Sequence, residues 1–187
     1  MIETTNQLLP CLKVVYEYAN LESQVRRLLN RFCSPHCSDC IDCCCKEKFC
    51  NESLGSFWLN MVWQNSGYDL SQYNAGSGWL TCDGCRLVAG RPPVCYSFIC
   101  KEILKNPSQS DHLQIMVNIA KLMPLVGKNA IGNKHLVTLS AQEVLEHLNF
   151  TKLSALIAKC LKLFEQYEKE LNDNLIRKMK FITQRYK

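Results

Sequence analysis

Seven cysteines stand within eighteen residues, CSPHCSDCIDCCCKEKFC, from Cys33 to Cys50. So dense a run of thiols is a disulfide scaffold, a metal ligand set or a catalyst, and each constrains the fold differently. Disulfide frameworks belong to small secreted domains whose cores are too small to hold them together. A chain of 187 residues with 47% apolar content has core enough for one domain. Its thirteen cysteines are an odd number, which argues against a fully paired framework. The opening MIETTNQLLPCLKVV lacks the basic-then-apolar pattern of a secretory signal. No stretch approaches the roughly 18 to 20 apolar residues of a bilayer span. The expected setting is therefore cytoplasmic and reducing, without a membrane, where CxxC pairs favour metal over disulfide.

The formal charge of +5 points to an anionic partner only until the thiols are counted. Metal-bound cysteines are thiolates. Eight of them on two zinc ions would remove eight charges and add four, leaving about +1. The basic character is then local. It is concentrated in the last eleven residues, RKMKFITQRYK, which hold five bases and no acid. Cations at a helix C-terminus are stabilised by its dipole, and such an end also suits nucleic-acid phosphates or an acidic protein. A solvated face is the favoured reading, because acids stand one turn earlier on the same helix.

Apolar periodicity predicts a mainly α, single-domain chain over 1–187, with little or no regular sheet, organised around a cysteine-bound metal centre. Val14, Tyr18, Leu21, Val25, Leu28 and Phe32 recur at steps of four and three and mark a helix over 1–32. Pro10 is expected in its first turn or just before it. A cysteine region follows over 33–105, then a helical part over 106–187. There, DHLQIMVNIAKLM reads as a helix stopped by Pro124, KNAIGNKH as a loop, and Ser140 to Glu143 as a capping box. Leu153, Ile157, Cys160, Phe164, Tyr167, Leu171 and Leu175 make a second long stripe. Between the cysteine clusters, residues 53–81 carry six aromatics and a single charge, Asp69. That composition suits an apolar cover over the metal; the alternative is a pocket wall. SFWLNMVWQ within it reads as a short helix.

Cys37, Cys40 and Cys43 follow C-x2-C-x2-C, with Cys44 adjacent. Thiolates two residues apart can turn toward one ion. Zinc sites usually draw two ligands from each of two distant pieces. Three thiols in one loop are closer to the way ferredoxin loops hold a cluster, although the downstream Cys-Pro of that pattern is missing. The second cluster, CDGCRLVAGRPPVCYSFIC, supplies Cys82, Cys85, Cys95 and Cys100. The two together make the ligand pool, enough for two four-cysteine zinc sites or one iron–sulfur cluster with thiols to spare. The three-thiol loop tilts the choice toward iron–sulfur over zinc.

CSDCIDCC, followed by Cys85, Arg91, Pro92, Cys95 and Cys100 in the spacing C-x5-R-P-x2-C, resembles the two signatures of the YkgJ-type cysteine-cluster family. That family is described as zinc- or iron-chelating. The resemblance spans residues 33–100 and implies a metal-binding protein. Some longer relatives are flagellin lysine methylases, which brings in methyl transfer as an alternative activity. Ile41 replaces a usual glycine, Tyr96 stands where a basic residue is common, and Cys33, Cys45 and Cys50 fall outside both signatures.

CSPHCSDC also spells the C-x3-C-x2-C of radical S-adenosylmethionine enzymes, but a helix precedes it and no barrel repeat follows. His36 is a candidate nitrogen ligand, more readily placed beside the site than on the metal. His112, His135 and His147 read as surface or cap residues. Arg91 suits either the cluster sulfurs or the carbonyls of its own turn. Whether the chain is an enzyme is left open; its alternatives are metal handling or electron transfer, metal-dependent and methyltransferase-related catalysis, and a zinc-stabilised module for nucleic acid or protein.

Overall fold

The computed structural model describes residues 3–37, 47–81, 84–97 and 110–185, and their side chains except at 3–7, 32–37, 52, 84, 97, 110–112 and 174–185. The described residues are mainly helical. In chain order they are α1 (Glu3–Cys37), α2 (Glu47–Leu54), α3 (Phe57–Asn65), strands β1 (Leu80–Thr81) and β2 (Gly84–Cys85), α4 (Val94–Ser97), α5 (Ser110–Ala120), α6 (Leu122–Gly127) and α7 (Phe150–Arg185). No described helix is long and apolar enough to cross a membrane.

The predicted stripe of α1 is buried at Val14, Tyr18, Leu21, Val25 and Leu28. The helix extends beyond the stripe at both ends. It begins seven residues before Pro10, which sits exposed inside it and costs it the hydrogen bond to the Asn6 carbonyl. It also runs past position 32 to Cys37, carrying Cys33 and Pro35. Periodicity marks only the packed part of a helix, so a last turn without apolar residues is invisible to it.

α7 packs beside α1 through Leu153, Ile157, Cys160, Phe164 and Leu171, all buried. Ser154 donates to Glu17 at 2.6 Å, and Arg27 pairs with Glu168 at 3.5 Å. Both contacts advance toward the C-termini, so the two helices run parallel. The basic end of α7 therefore lies at the same end of the bundle as Cys33 and Cys37 of α1.

SFWLNMVWQ forms α3, begun by Ser56, whose hydroxyl accepts from the Leu59 amide at 3.3 Å. Trp58, Leu59, Val62 and Trp63 are all at most 1% exposed, so this helix is core on most of its surface. Burying each such side chain contributes roughly 1.5 to 3 kcal/mol.

α5 ends at Ala120, three residues before the position the sequence suggested. Pro124 lacks the N–H that would bond the Ala120 carbonyl and its ring crowds that group. The chain restarts as α6, and Pro124 falls in its first turn, where an N–H is not needed. Ser140 and Glu143 form the expected capping box, Ser140 N–H to Glu143 Oε2 at 2.9 Å and Glu143 N–H to Ser140 Oγ at 3.3 Å. The box opens a π-helical turn, Glu143–His147.

Candidate metal centre

Glu22 stands four residues after Tyr18 and three before Val25, within the apolar stripe of α1. Its side chain is completely buried. Gly90 N–H donates to one carboxylate oxygen at 2.6 Å; Arg91 N–H at 2.8 Å and the Tyr96 hydroxyl at 2.6 Å donate to the other. All three partners donate, which suits the acceptor-only carboxylate. Burial pushes the carboxyl up, and these hydrogen bonds and the Arg91 charge hold it down against that push.

This carboxylate fixes the segment that carries Arg91, Pro92 and Cys95. The Pro92 and Pro93 carbonyls accept from Cys95 and Tyr96 N–H at 2.9 and 3.0 Å, opening α4. Trp63 closes the segment from above, its indole N–H donating to the Gly90 carbonyl at 2.6 Å. Gly90 has φ +82°, and a Cβ there would lie 2.2 Å from the Trp63 ring. Only glycine admits both the conformation and the approach.

One turn along α1 from Glu22, Arg26 reaches the same segment. Its Nη2 donates to the Cys85 carbonyl at 2.9 Å, holding β2 in place. Its Nε is buried without a partner among the described residues. Burial and the facing Arg91 guanidinium lower the Arg26 pKa, partly offset by Cys85 and the nearby tyrosines. Burial also opposes the charge on Arg91, but Tyr96, Cys85, Glu22 and Cys95 together hold its pKa up. Arg91 Nε donates to the Leu87 carbonyl at 3.2 Å, so it both braces its own turn and lies within electrostatic reach of the thiols.

Three cysteines lie within electrostatic reach of Arg91, and Cys85 also of Arg26. Cys85 is half-buried on β2, paired across the hairpin with Leu80. Cys95 opens to solvent on α4, yet its dense surroundings push its thiol up to about 12, with Arg91 pulling the other way. The third is Cys50 on α2, buried and packed under Gly78. Each of Cys50 and Cys95 feels Cys85 and Arg91. The structure thus brings Cys85 and Cys95 of the predicted pool into one neighbourhood and adds Cys50, which belongs to neither signature. Its signal in the sequence was only its place at the end of the first cluster.

Of the other predicted ligands, Cys37 ends α1 with its side chain outside the described residues, and Cys40, Cys43, Cys44, Cys82 and Cys100 lie outside them altogether. Position 33 falls seven residues beyond Arg26 and position 37 eleven beyond, so helical register sets both on the Arg26 face of α1. Among the described residues, no three His, Cys, Asp or Glu groups converge on a single ion site. The side chains of His36 and of the basic 177–187 end also lie outside the described residues.

Cys11 and Cys160 are core residues, both 0% exposed, and the Cys11 thiol meets Met61 sulfur at 3.8 Å. His135 is the predicted cap: its Nδ1 accepts from Val137 N–H at 3.3 Å and begins the 3-10 turn Leu136–Thr138. The aromatic segment is core at its tryptophans and opens to solvent between Asp69 and Gly76. Trp58 and Trp79 are buried, with Trp63 and Trp79 centroids 5.1 Å apart and Tyr68 and Tyr73 edge-on to Trp79.

The thiols of Cys85 and Cys95 are donors of the type that zinc and iron–sulfur clusters take. Arg91 feels the buried carboxylate of Glu22, while Arg26, beside the Cys85 carbonyl, keeps an Nε without a partner among the described residues. A partly buried cation gains from a nearby negative charge, which a thiolate would supply. No protein-family model, characterised protein or solved structure matches the chain significantly. The likeness to the CxxCxxCC family rests on its motif spacing.

Proposed function

We propose that the protein holds a thiolate-ligated metal, an iron–sulfur cluster in preference to zinc, between the loop that follows α1 and the 82–100 segment, and that it works in metal handling or electron transfer. The observation that supports this reading is a pair of partly buried arginines beside the second cysteine cluster: Arg26 donates to the Cys85 carbonyl at 2.9 Å, and Arg91 lies within electrostatic reach of Cys85 and Cys95.

Cys85 and Cys95 would hold the metal from this side, and Cys37, Cys40, Cys43, Cys44, Cys82 and Cys100 complete the pool. Bound there, a cluster would supply one-electron chemistry, and zinc would supply cross-linking alone. The chain's own groups set the environment. Arg26 fixes β2 through the Cys85 carbonyl, Glu22 fixes the Arg91–Tyr96 segment, and Trp58, Trp63 and Trp79 exclude water on the covered side. The preference for iron–sulfur rests on the three-thiol loop Cys37–Cys43.

The test is metal content after replacement of Cys85 and Cys95 together by serine. Loss of bound metal with the helical signal retained supports the site. Full retention of metal would place the centre elsewhere.

A further inference from the structure

The fold sets a second basic stretch beside the one at the end of the chain. From Ser23 to Cys37, α1 holds Arg26, Arg27 and Arg31 and no acid. From Asn174 to Arg185, α7 holds Arg177, Lys178, Lys180 and Arg185 and no acid. The two helices run parallel, with Arg27 3.5 Å from Glu168. Ten residues beyond that pair, α1 ends at Cys37 and α7 reaches Lys178. The acid-free stretches of both helices therefore lie side by side at one end of the bundle.

Arg26 is taken up by the Cys85 carbonyl. Arg27 and Arg31 are exposed, the Arg27 side chain by 68%. An ion pair as exposed as Arg27–Glu168 is worth little, so Arg27 can serve a second partner. On α7, Lys169 is exposed, and position 180 falls eleven residues later, close to three whole turns, in the same register.

The helix dipole does not account for these bases. It favours cations only within the last turn. Arg27 and Arg31 stand ten and six residues before Cys37, and Arg177, Lys178 and Lys180 five to eight before Arg185. Nor is this an ordinary solvated face. Earlier on α7 the bases alternate with Glu165, Glu168, Glu170 and Asp173, and that balance stops at Asp173. A single small anion needs only a few donors, whereas the bases from Lys169 to Arg185 extend over about 24 Å of helix at 1.5 Å per residue. An extended row of cations matches a polymer of evenly spaced charges, and duplex DNA carries one per roughly 1.7 Å of its axis. Arginine adds a planar fork that suits phosphate oxygens.

We propose that this end of the α1–α7 pair binds the phosphate backbone of nucleic acid without regard to sequence, through Arg27, Arg31, Lys169, Arg177, Lys178 and Lys180. The inference is independent of the metal-binding reading above.

The test is fluorescence anisotropy of a labelled DNA duplex of about 20 base pairs, titrated with the full chain at salt from about 50 to 200 mM. Three double variants are compared: Arg27→Gln with Arg31→Gln, Lys178→Gln with Lys180→Gln, and Lys121→Gln with Lys128→Gln, which removes the same charge from the two ends of α6. Six bases on phosphates predict a slope of log affinity against log salt of roughly −5, about a thousandfold loss over that range. Each of the first two variants should flatten the slope by about 2, and the α6 variant should leave it unchanged. Equal effects of all three variants would reduce the binding to net charge and overturn the surface. No binding at the lowest salt would overturn it as well. Polyglutamate that displaces the duplex at equal charge would assign the surface to an acidic protein and overturn the nucleic-acid reading.

Discussion

The hydroxyl of Tyr96 donates to the buried carboxylate of Glu22 at 2.6 Å, across 74 residues of sequence. Through this bond and its two backbone companions, an apolar-looking stripe on α1 organises the segment that carries Arg91 and Cys95. Glu22→Ala would leave Gly90 N–H, Arg91 N–H and the Tyr96 hydroxyl without their acceptor. Breaking a buried charged network of this kind costs about 3 to 5 kcal/mol. Tyr96→Phe removes one hydrogen bond to a charged group and should cost about 1.5 to 3 kcal/mol. Urea midpoints of the two variants should fall in that order, and equal midpoints would refute the clamp.

Gly90→Ala should be among the most damaging single-methyl additions. The new Cβ would meet the Trp63 indole at 2.2 Å, in a backbone conformation that L-residues rarely adopt. Overpacking and left-handed strain each cost about 1 to 3 kcal/mol. Thermal unfolding of this variant beside Gly132→Ala, where φ is also positive but space is open, separates the contact from the strain. The Gly90 variant should lose clearly more.

Arg26→Met should loosen the metal. One unit charge on the order of 10 Å from an anionic centre, at an effective dielectric of about 20, is worth roughly 1.7 kcal/mol, or somewhat over tenfold. Chelator stripping should accelerate by about that factor, and Arg26→Lys, which keeps the charge, should stay nearer the wild type. In a redox-active centre the same loss of positive charge lowers the reduction potential. Identical stripping rates for all three proteins would remove the counter-charge argument.

His135 makes stability depend on pH. Burial lowers its pKa below the ordinary value, while the Pro124 carbonyl, 3.2 Å from Nε2, opposes the shift. The Nδ1 that accepts from Val137 N–H needs the neutral ring. With the folded pKa below the unfolded value of about 6.5, this contribution is complete above pH 6.5 and is lost as pH falls through the folded value. Urea midpoints measured from pH 7.5 to 5 should decline in the wild type and decline less in His135→Gln.

Local patterns carried the parts of the fold that are local in cause. The α1 and α7 stripes, the Ser56-capped α3 and the Ser140–Glu143 box all follow from residues within a turn or two of one another. The break at Ala120 was misplaced because Pro124 acts four residues upstream of itself, on a carbonyl. Glu22 was passed over because its acceptors' partners lie 68 to 74 residues away. Its one local signal was a carboxylate inside an apolar stripe. That Cys85 and Cys95 fall in one neighbourhood follows from their spacing around the Arg91–Pro92 turn, which folds back on the β1–β2 pair. The burial of Cys50 was not legible, because it comes from the close approach of Gly78, 28 residues away in sequence.

The most direct test of the central claim is metal and acid-labile sulfide content in protein purified without oxygen, together with its visible spectrum. The account predicts iron with sulfide and a broad visible band, lost when Cys85 and Cys95 are replaced. Zinc without sulfide would contradict the iron–sulfur preference and leave a structural thiolate centre. Metal-free protein that refuses both iron and zinc would contradict the thiolate-held metal centre itself.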